Sequence, residues 1–354
     1  MNRPQIETDA LVIGAGPVGL FQVFQLGLLG IQSHVVDSLP YPGGQCIELY
    51  PDKPIYDIPG TPRCTGRELT ARLLKQVAPF APPLHLSQVV TTLAKHPDGR
   101  FELQTSRGIT FVAKTIFIAA GVGAFAPRRL RIEGLDKYES ASPNAPAQLF
   151  YALPSPADFA HKHVVIVGGD DTALRAVLQL ADSGQTKSIT LVHRRDVYQA
   201  VPELCAQVKT RIESAAVTFK VGQVTGFVEH NQRLTAASIT DADGDTRSLR
   251  LDALVVLLGV SPKLGPVADW GLDMARKQVA VNTAEFSTSV PGIFAVGDIN
   301  TYPGKKKLIL CGFHEAALAA FGAANIVFPG QSTPLQYTTT SPRLHKLLGV
   351  DQSA

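Results

Sequence analysis

Ala10-Leu11-Val12-Ile13-Gly14-Ala15-Gly16-Pro17-Val18-Gly19 opens the patterned part of the chain, and Val164-Val165-Ile166-Val167-Gly168-Gly169-Asp170-Asp171-Thr172-Ala173 repeats its form near the middle. Each stretch is an apolar run, a glycine turn and the start of a helical pattern, the strand-loop-helix order of a dinucleotide-binding unit. In the first loop Gly14 permits the tight turn, Gly16 lets backbone approach a pyrophosphate, and Gly19 allows close packing of helix on strand; Pro17 completes the loop. The glycine spacing alone is a weak signal. Context strengthens it: Asp37 ends the next strand, Ser33-His34-Val35-Val36-Asp37, roughly 20 residues on, where an acid hydrogen-bonds a ribose hydroxyl.

The second loop departs from this pattern, because Asp170 stands where the second glycine belongs. A carboxylate there repels a pyrophosphate unless its side chain turns away or stays with the turn backbone. Gly168, Gly169 and Thr172 keep the loop and helix start, and Arg194 and Arg195 end the strand Ser188-Ile189-Thr190-Leu191-Val192, where an NAD site carries an acid. Guanidinium groups suit a ribose 2′-phosphate, so NADP(H) is expected in preference to NAD(H). The competing reading is a decayed structural copy.

Outward from the loops, one plan is written twice: loop, helix, strand, β-meander, and a strand ending in glycine. In the first copy the meander is read from Leu84–Val90, Phe101–Thr105 and Ile109–Val112, with a turn at Pro97-Asp98-Gly99, followed by a buried strand at Thr115–Gly121. The second is read from Val217–Val221, Leu234–Ile239 and Ser248–Leu251, followed by Ala253–Gly259. A Pro/Gly-rich stretch from Pro40 to Pro62 reads as a long functional loop. Helix spacing follows over Leu69–Val77, and an alanine-rich helix is expected over Glu315–Val327. This duplication predicts an α/β chain of two Rossmann-like nucleotide-binding domains.

Bulk composition agrees. The chain of 354 residues has 45% hydrophobic and 18% charged residues and a net charge of +3, an ordinary globular balance that gives no support to nucleic-acid binding. No apolar run reaches the ~18 residues of a membrane span, and the polar start is unlike a signal peptide, so a cytoplasmic location without membrane attachment is expected. The four cysteines, Cys46, Cys64, Cys205 and Cys311, show neither CxxC nor metal-ligand spacing. Arg128-Arg129-Leu130-Arg131 and Lys305-Lys306-Lys307 read as solvated faces, with docking of an acidic protein as the alternative.

Further segments carry a resemblance. Gly43-Gly44-Gln45, Leu49-Tyr50-Pro51-Asp52-Lys53-Pro54-Ile55-Tyr56-Asp57, Ala120-Gly121-Val122-Gly123-Ala124-Phe125-Ala126-Pro127 and Gly297-Asp298-Ile299 resemble the thioredoxin-reductase-type ferredoxin/flavodoxin–NADP reductases, over nearly the whole chain. The resemblance implies a three-layer ββα flavoprotein fold. A discontinuous FAD domain would comprise 1–123 and 288–354, and an inserted NADP domain 124–287. By matching positions, Asp37 would hold the adenosine ribose, Gln45 would contact the flavin side and Tyr50 would stack on the isoalloxazine. Val90 and Phe125 would line the adenine and flavin ends, and Asp298 would bond the ribityl or phosphate part. A tail residue of the partner in a homodimer, Tyr337, Thr339 or His345, would cover the other flavin face.

The thioredoxin reductases carry CxxC shortly before the second loop, whereas Ala141–Lys162 here contain no cysteine. The resemblance therefore implies that electrons pass from NADPH to FAD and then, singly, to ferredoxin or flavodoxin, with the flavin performing the chemistry and no protein residue acting as catalyst. His314-Glu315 reads as a helix start. The alternatives are a flavin oxidoreductase using oxygen, a quinone or another small acceptor, and a non-catalytic nucleotide-binding sensor.

Overall fold

The computed structural model describes residues 5–139, 146–331 and 337–350. In chain order its principal elements are β1 (Gln5–Ile13), α1 (Pro17–Leu28), β2 (Ser33–Val36), α2 (Gln45–Glu48), α3 (Gly66–Val77), β3 (Leu84–His85), β4 (Val90–Lys95), β5 (Phe101–Thr105) and β6 (Thr110–Ile118). There follow β7 (Leu149–Phe150), β8 (His163–Gly168), α4 (Asp171–Ser183), β9 (Ser188–His193), α5 (Pro202–Glu213), β10 (Thr218–Val221), β11 (Gln223–His230), β12 (Arg233–Thr240), β13 (Thr246–Arg250) and β14 (Ala253–Leu257). The chain closes with β15 (Ile293–Ala295), α6 (Ile309–Val327) and α7 (Pro342–Leu348).

Two compact units emerge, Met1–Phe125 with Pro262–Ala354, and Ala126–Ser261. The chain crosses between them in the strands Ala124–Pro127 and Val260–Lys263, which pair with each other. The second crossing thus falls at 262 and not at 288. The reason is burial: Val267, Leu272 and Val279 share one apolar cluster with Leu11, Phe111 and Ile293 of the first unit.

In the first unit β3, β2, β1 and β6 lie in that order, all parallel, and β6 continues antiparallel through β5 to β4. The nine-residue β6 serves two neighbours on one side: Thr110–Ala113 pair with β5, and Ile116–Ile118 pair with β15. The strands expected at Ile109–Val112 and Thr115–Gly121 are therefore one. Polar Lys114 interrupts the apolar pattern, but it pairs with the Asp9 carboxylate of β1 at 2.8 Å, and beside it buried Thr115 donates to the Asp9 carbonyl at 2.9 Å. The segment Leu84–Val90 likewise divides between β3, parallel to β2, and the start of the antiparallel β4.

Strand alternation sorts the core into two layers. Ala10 and Val12 of β1 face α1 and α6, where they meet Val23, Leu26, Ala319 and Ala323. Leu11 and Ile13 face the meander with Leu103 and Phe111. The alanines of α6 let it lie close to α1. Among the described residues α6 is the one helix long and apolar enough to cross a membrane, yet Ala316, Ala319, Ala320, Ala323 and Ala324 are fully buried in the core. It begins at Ile309, so Glu315 stands inside it and not at its start.

The second unit repeats the plan with a five-stranded parallel sheet, β7-β14-β8-β9-β10, and a separate antiparallel sheet, β11-β12-β13. Val164 and Ile166 face α4 and α5, whereas Val165 and Val167 face the meander. Val217–Val221 holds β10, an edge of the parallel sheet, and the meander's first strand is β11, whose largely exposed, polar residues gave no buried-strand signal. The counterpart of β6 is broken into β13 and β14. At the break the Asp252 carboxylate accepts from His163 N at 2.8 Å, and buried Gln148 donates to the Asp252 and Leu234 carbonyls.

Candidate functional site

The first unit contains a cleft, open to solvent, that runs from the glycine turn to the loop after α2. Gly14, Gly16, Pro17, Asp37, Gln45, Tyr50, Val90 and Asp298 all line it. The three loop glycines differ in what surrounds them. Gly14 holds φ +113°, and a Cβ there would lie 2.4 Å from the Ala119 carbonyl oxygen. A Cβ on Gly19 would lie 1.9 Å from the Gly14 carbonyl oxygen, so the helix could not seat on the strand. A Cβ on Gly16 would meet nothing nearer than Gly44 Cα at 3.9 Å, so the space over Gly16 is open. Pro17 at the start of α1 gives up an N–H that has no helical partner in any case, and no side chain caps this end.

Asp37 is buried where β2 ends. Its Oδ2 accepts from Ala15 N at 2.5 Å and its Oδ1 from Leu39 N at 2.8 Å. Burial pushes the Asp37 carboxyl above the usual carboxylate range, against the pull of these two N–H donors. Each oxygen keeps a free lone pair, so a ligand hydroxyl has an acceptor there.

At the other end of the cleft Gln45 begins α2, and its Nε2 lies over Gly121, where an added Cβ would approach to 2.9 Å. Half-buried Tyr50 shares a 3.5 Å hydrogen bond with Cys46 Sγ, and burial raises both ionisations, so the pair stays protonated. Cys46 is therefore a buried thiol that burial holds in its protonated form. All four cysteines are free.

Asp298 sits on the turn Gly297–Ile299, which a buried charge pair holds from behind. Glu315, fully buried, accepts from Gly297 N at 2.7 Å, Asn300 Nδ2 at 2.8 Å, Tyr302 Oη at 2.9 Å and Lys305 Nζ at 2.5 Å. Lys305, whose side chain is 6% exposed, also donates to the Gly297 carbonyl. Four donors on one carboxylate satisfy it in the interior. The lysine run is thus not a uniform solvated face: Lys305 is structural and Lys307 lines the cleft. Arg129 of the other basic run is also engaged, in the second unit, by Glu139.

Two features of this site escaped the sequence. Gln88, buried on the cleft wall, donates its backbone N–H to the Asp37 carbonyl. Nothing in its neighbourhood marks it except its place two residues before Val90. The Lys305–Glu315 pair did leave a signal, a single carboxylate inside an otherwise apolar helix. Phe125 lies on the strand Ala124–Pro127, and its side chain is outside the described residues. The tail candidates do not line the cleft of their own chain: Tyr337 is 70% exposed, Thr339 belongs to the exposed turn Thr338–Thr340, and His345 on α7 bonds the Thr338 carbonyl.

In the second unit the glycine loop is tight. A Cβ on Gly168 would lie 2.2 Å from the Leu257 carbonyl oxygen, and one on Gly169 would lie 2.6 Å from the His193 ring. Asp170 caps α4, its Oδ1 accepting from Ala173 N at 3.0 Å, and Thr172 occupies the first turn. The carboxylate thus stays with the helix backbone. Arg194 and Arg195 are exposed just beyond β9, and neither forms an ion pair among the described residues. His193 is held below its usual range by burial first and then by these two cations.

The sequence profile of the family described as pyridine nucleotide-disulphide oxidoreductase matches residues 8–316. The chain is 60% identical over 348 residues to a ferredoxin–NADP reductase of Polaromonas naphthalenivorans, covering 98% of this chain and 93% of that protein. It is 60% identical over 352 residues to one of Albidiferax ferrireducens, covering 99% and 98%. Among solved structures it resembles Lactococcus lactis thioredoxin reductase, with a TM-score of 0.55 at 22% identity over 90% of this chain and 99% of that one. The bacillithiol disulfide reductase of Staphylococcus aureus aligns with a TM-score of 0.57 at 15% identity over 89% and 98%.

Proposed function

We propose that this chain, which belongs to the pyridine nucleotide-disulphide oxidoreductase family and within it to the ferredoxin–NADP reductases, passes electrons between NADPH and ferredoxin through FAD. The observation that carries the reading is a cleft of the first unit, which the Gly14–Val18 turn, Asp37, Gln45, Tyr50 and Asp298 all line. These residues fit a flavin dinucleotide. The open space over Gly16 admits a pyrophosphate, the free lone pairs of Asp37 accept ribose hydroxyls, and Val90 borders the adenosine end. Gln45 and Tyr50 present an amide and an aromatic face to the ring system, and Asp298 is held for the ribityl and phosphate part by the turn that Glu315 and Lys305 fix.

When bound, FAD supplies the step between a two-electron donor and a one-electron acceptor. The protein's part is to position and enclose, and no side chain is assigned a catalytic role. In the second unit Gly168, Gly169 and Thr172 form the dinucleotide turn, and Arg194 and Arg195 hold the 2′-phosphate that distinguishes NADPH from NADH. The cysteine pair of a dithiol relay is missing from its place before the second loop, since Ala141–Lys162 contain no cysteine.

Finer parts of the reading follow. Flavodoxin is an alternative carrier. The protein works as a homodimer in which the exposed Tyr337–His345 segment covers the partner's flavin, with Thr339 donating a hydrogen bond. A cytoplasmic setting suits four free thiols. Anaerobic addition of NADPH to the purified protein should bleach its flavin, with NADH far less effective, and cytochrome reduction should then depend on added ferredoxin. Protein lacking flavin, or full turnover on oxygen or quinone with no gain from ferredoxin, would reject the proposal.

A further inference from the structure

Every dinucleotide turn of this kind uses the amino end of its helix to hold a pyrophosphate. In the second unit that end is already taken. Asp170 stands at the position of close approach, its Oδ1 accepts from Ala173 N at 3.0 Å, and its carbonyl accepts from Leu174 N at 3.0 Å. Its Oδ2 lies 3.5 Å from where a Cβ on Gly259 would stand, beside the end of β14. No ion pair neutralises Asp170 among the described residues. The neighbouring acid, Asp171, is turned to other work, its Oδ1 accepting from Val201 N at 2.9 Å. The backbone is extended at Asp170 (φ −99°, ψ −179°), so glycine is not needed there for conformation. What the aspartate changes is charge and access.

We propose that Asp170 is an internal anion that competes with the pyrophosphate of the nicotinamide dinucleotide for the N-terminus of α4, leaving the 2′-phosphate and Arg194 and Arg195 to carry the affinity. The inference rests on the reading that this unit takes NADP(H). It deepens that reading by assigning opposite signs to two parts of one site. The first unit supplies the contrast: there Gly16 leaves the helix end uncapped and the space above it open. A ligand bound at α4 must approach a fixed negative charge or displace it from Ala173 N, and either cost falls on the pyrophosphate alone. NADP+ and NAD+ therefore bear it equally, while a ligand with a 2′-phosphate and no pyrophosphate escapes it.

The test is calorimetric binding to the flavin-loaded, oxidised protein, with NADP+ and adenosine 2′-monophosphate as the two ligands. Asp170→Asn keeps the cap, since asparagine caps as well as aspartate, and removes the charge. Asp170→Gly removes both at a small cost in stability. The expected result is that each variant binds NADP+ roughly tenfold more tightly than the native protein, as loss of one adjacent like charge implies, while adenosine 2′-monophosphate binds all three alike. Equal NADP+ affinity in native protein and variants overturns the inference, as does an equal gain for both ligands, which would mark a diffuse charge effect. Failure of the native protein and both variants to bind either ligand overturns the NADP(H) reading and the inference with it.

Discussion

At the residue scale the site depends on what each glycine excludes, and two neighbouring glycines give opposite predictions. Gly19→Ala would place a methyl 1.9 Å from a backbone oxygen that cannot yield, and overpacking of that kind costs about 3 kcal/mol. A lowered melting temperature in the apoprotein is the expected outcome. Gly16→Ala meets no atom nearer than 3.9 Å, at φ −70° and ψ 178°, where any residue is comfortable. This variant should melt close to the native protein yet bind FAD roughly tenfold or more weakly, a change of at least ~1.4 kcal/mol, as fluorescence titration of apoprotein would show. Equal FAD affinity in Gly16→Ala would remove the pyrophosphate from this turn. The glycines and Asp37 were legible in the sequence because their work is done by backbone and by fixed spacing along one strand-turn-helix. Gln88 was not, because the Asp37 carbonyl it meets lies far off in the chain, and Lys305 was not, because its burial against nearby Gly297 and Glu315 is concealed by a run of three lysines.

At the element scale the β2–β3 edge carries a titratable clasp. His34 on β2 and His85 on β3 lie with Nδ1 and Nε2 2.9 Å apart, their rings stacked at 5.2 Å, and both rings pack edgewise on buried Phe111. One nitrogen must donate and the other accept, so the contact needs at least one neutral ring. Burial lowers the pKa of His34, helped by the charge on His85, and burial alone lowers that of His85. A histidine whose folded pKa is depressed binds fewer protons folded than unfolded, so its contribution is complete above the unfolded value of 6.5 and is lost as pH falls below it. The melting temperature should hold steady from neutral pH upward and drop by a few degrees as pH passes from 7 toward 5. His34→Gln should flatten that slope, and an unchanged slope would show that the pair does not govern it. Among the elements, apolar parallel strands were easily read. β11 was hidden because one face is solvated and its register shifts near Gly226 break the alternation. The split in β6 came from polar Lys114, which pairs with the Asp9 carboxylate of the neighbouring strand while its side chain remains 42% exposed.

At the scale of the whole molecule, duplication was visible as two glycine loops, but the place where one unit ends was not. Residues 262–287 carry no glycine-loop motif, and only their burial against the first sheet assigns them. That burial has a consequence for independence. Among the described residues, the apolar clusters on both faces of the second sheet draw entirely on the segment between Ala126 and Ser261, from Leu130 to Leu258. A segment with a closed core of its own should fold alone. Residues 126–261, expressed by themselves, should give a sharp thermal transition and bind adenosine 2′-monophosphate within a few-fold of the full chain, with no flavin. The complementary protein should keep FAD when a short glycine linker joins 125 to 262, because the two crossing strands pair and so bring those ends together. A broad, uncooperative melt of the excised segment would show that its core requires the first unit. A flavin-free complement would show that the cleft is not complete within the first unit, and would move the cofactor site to one that needs both.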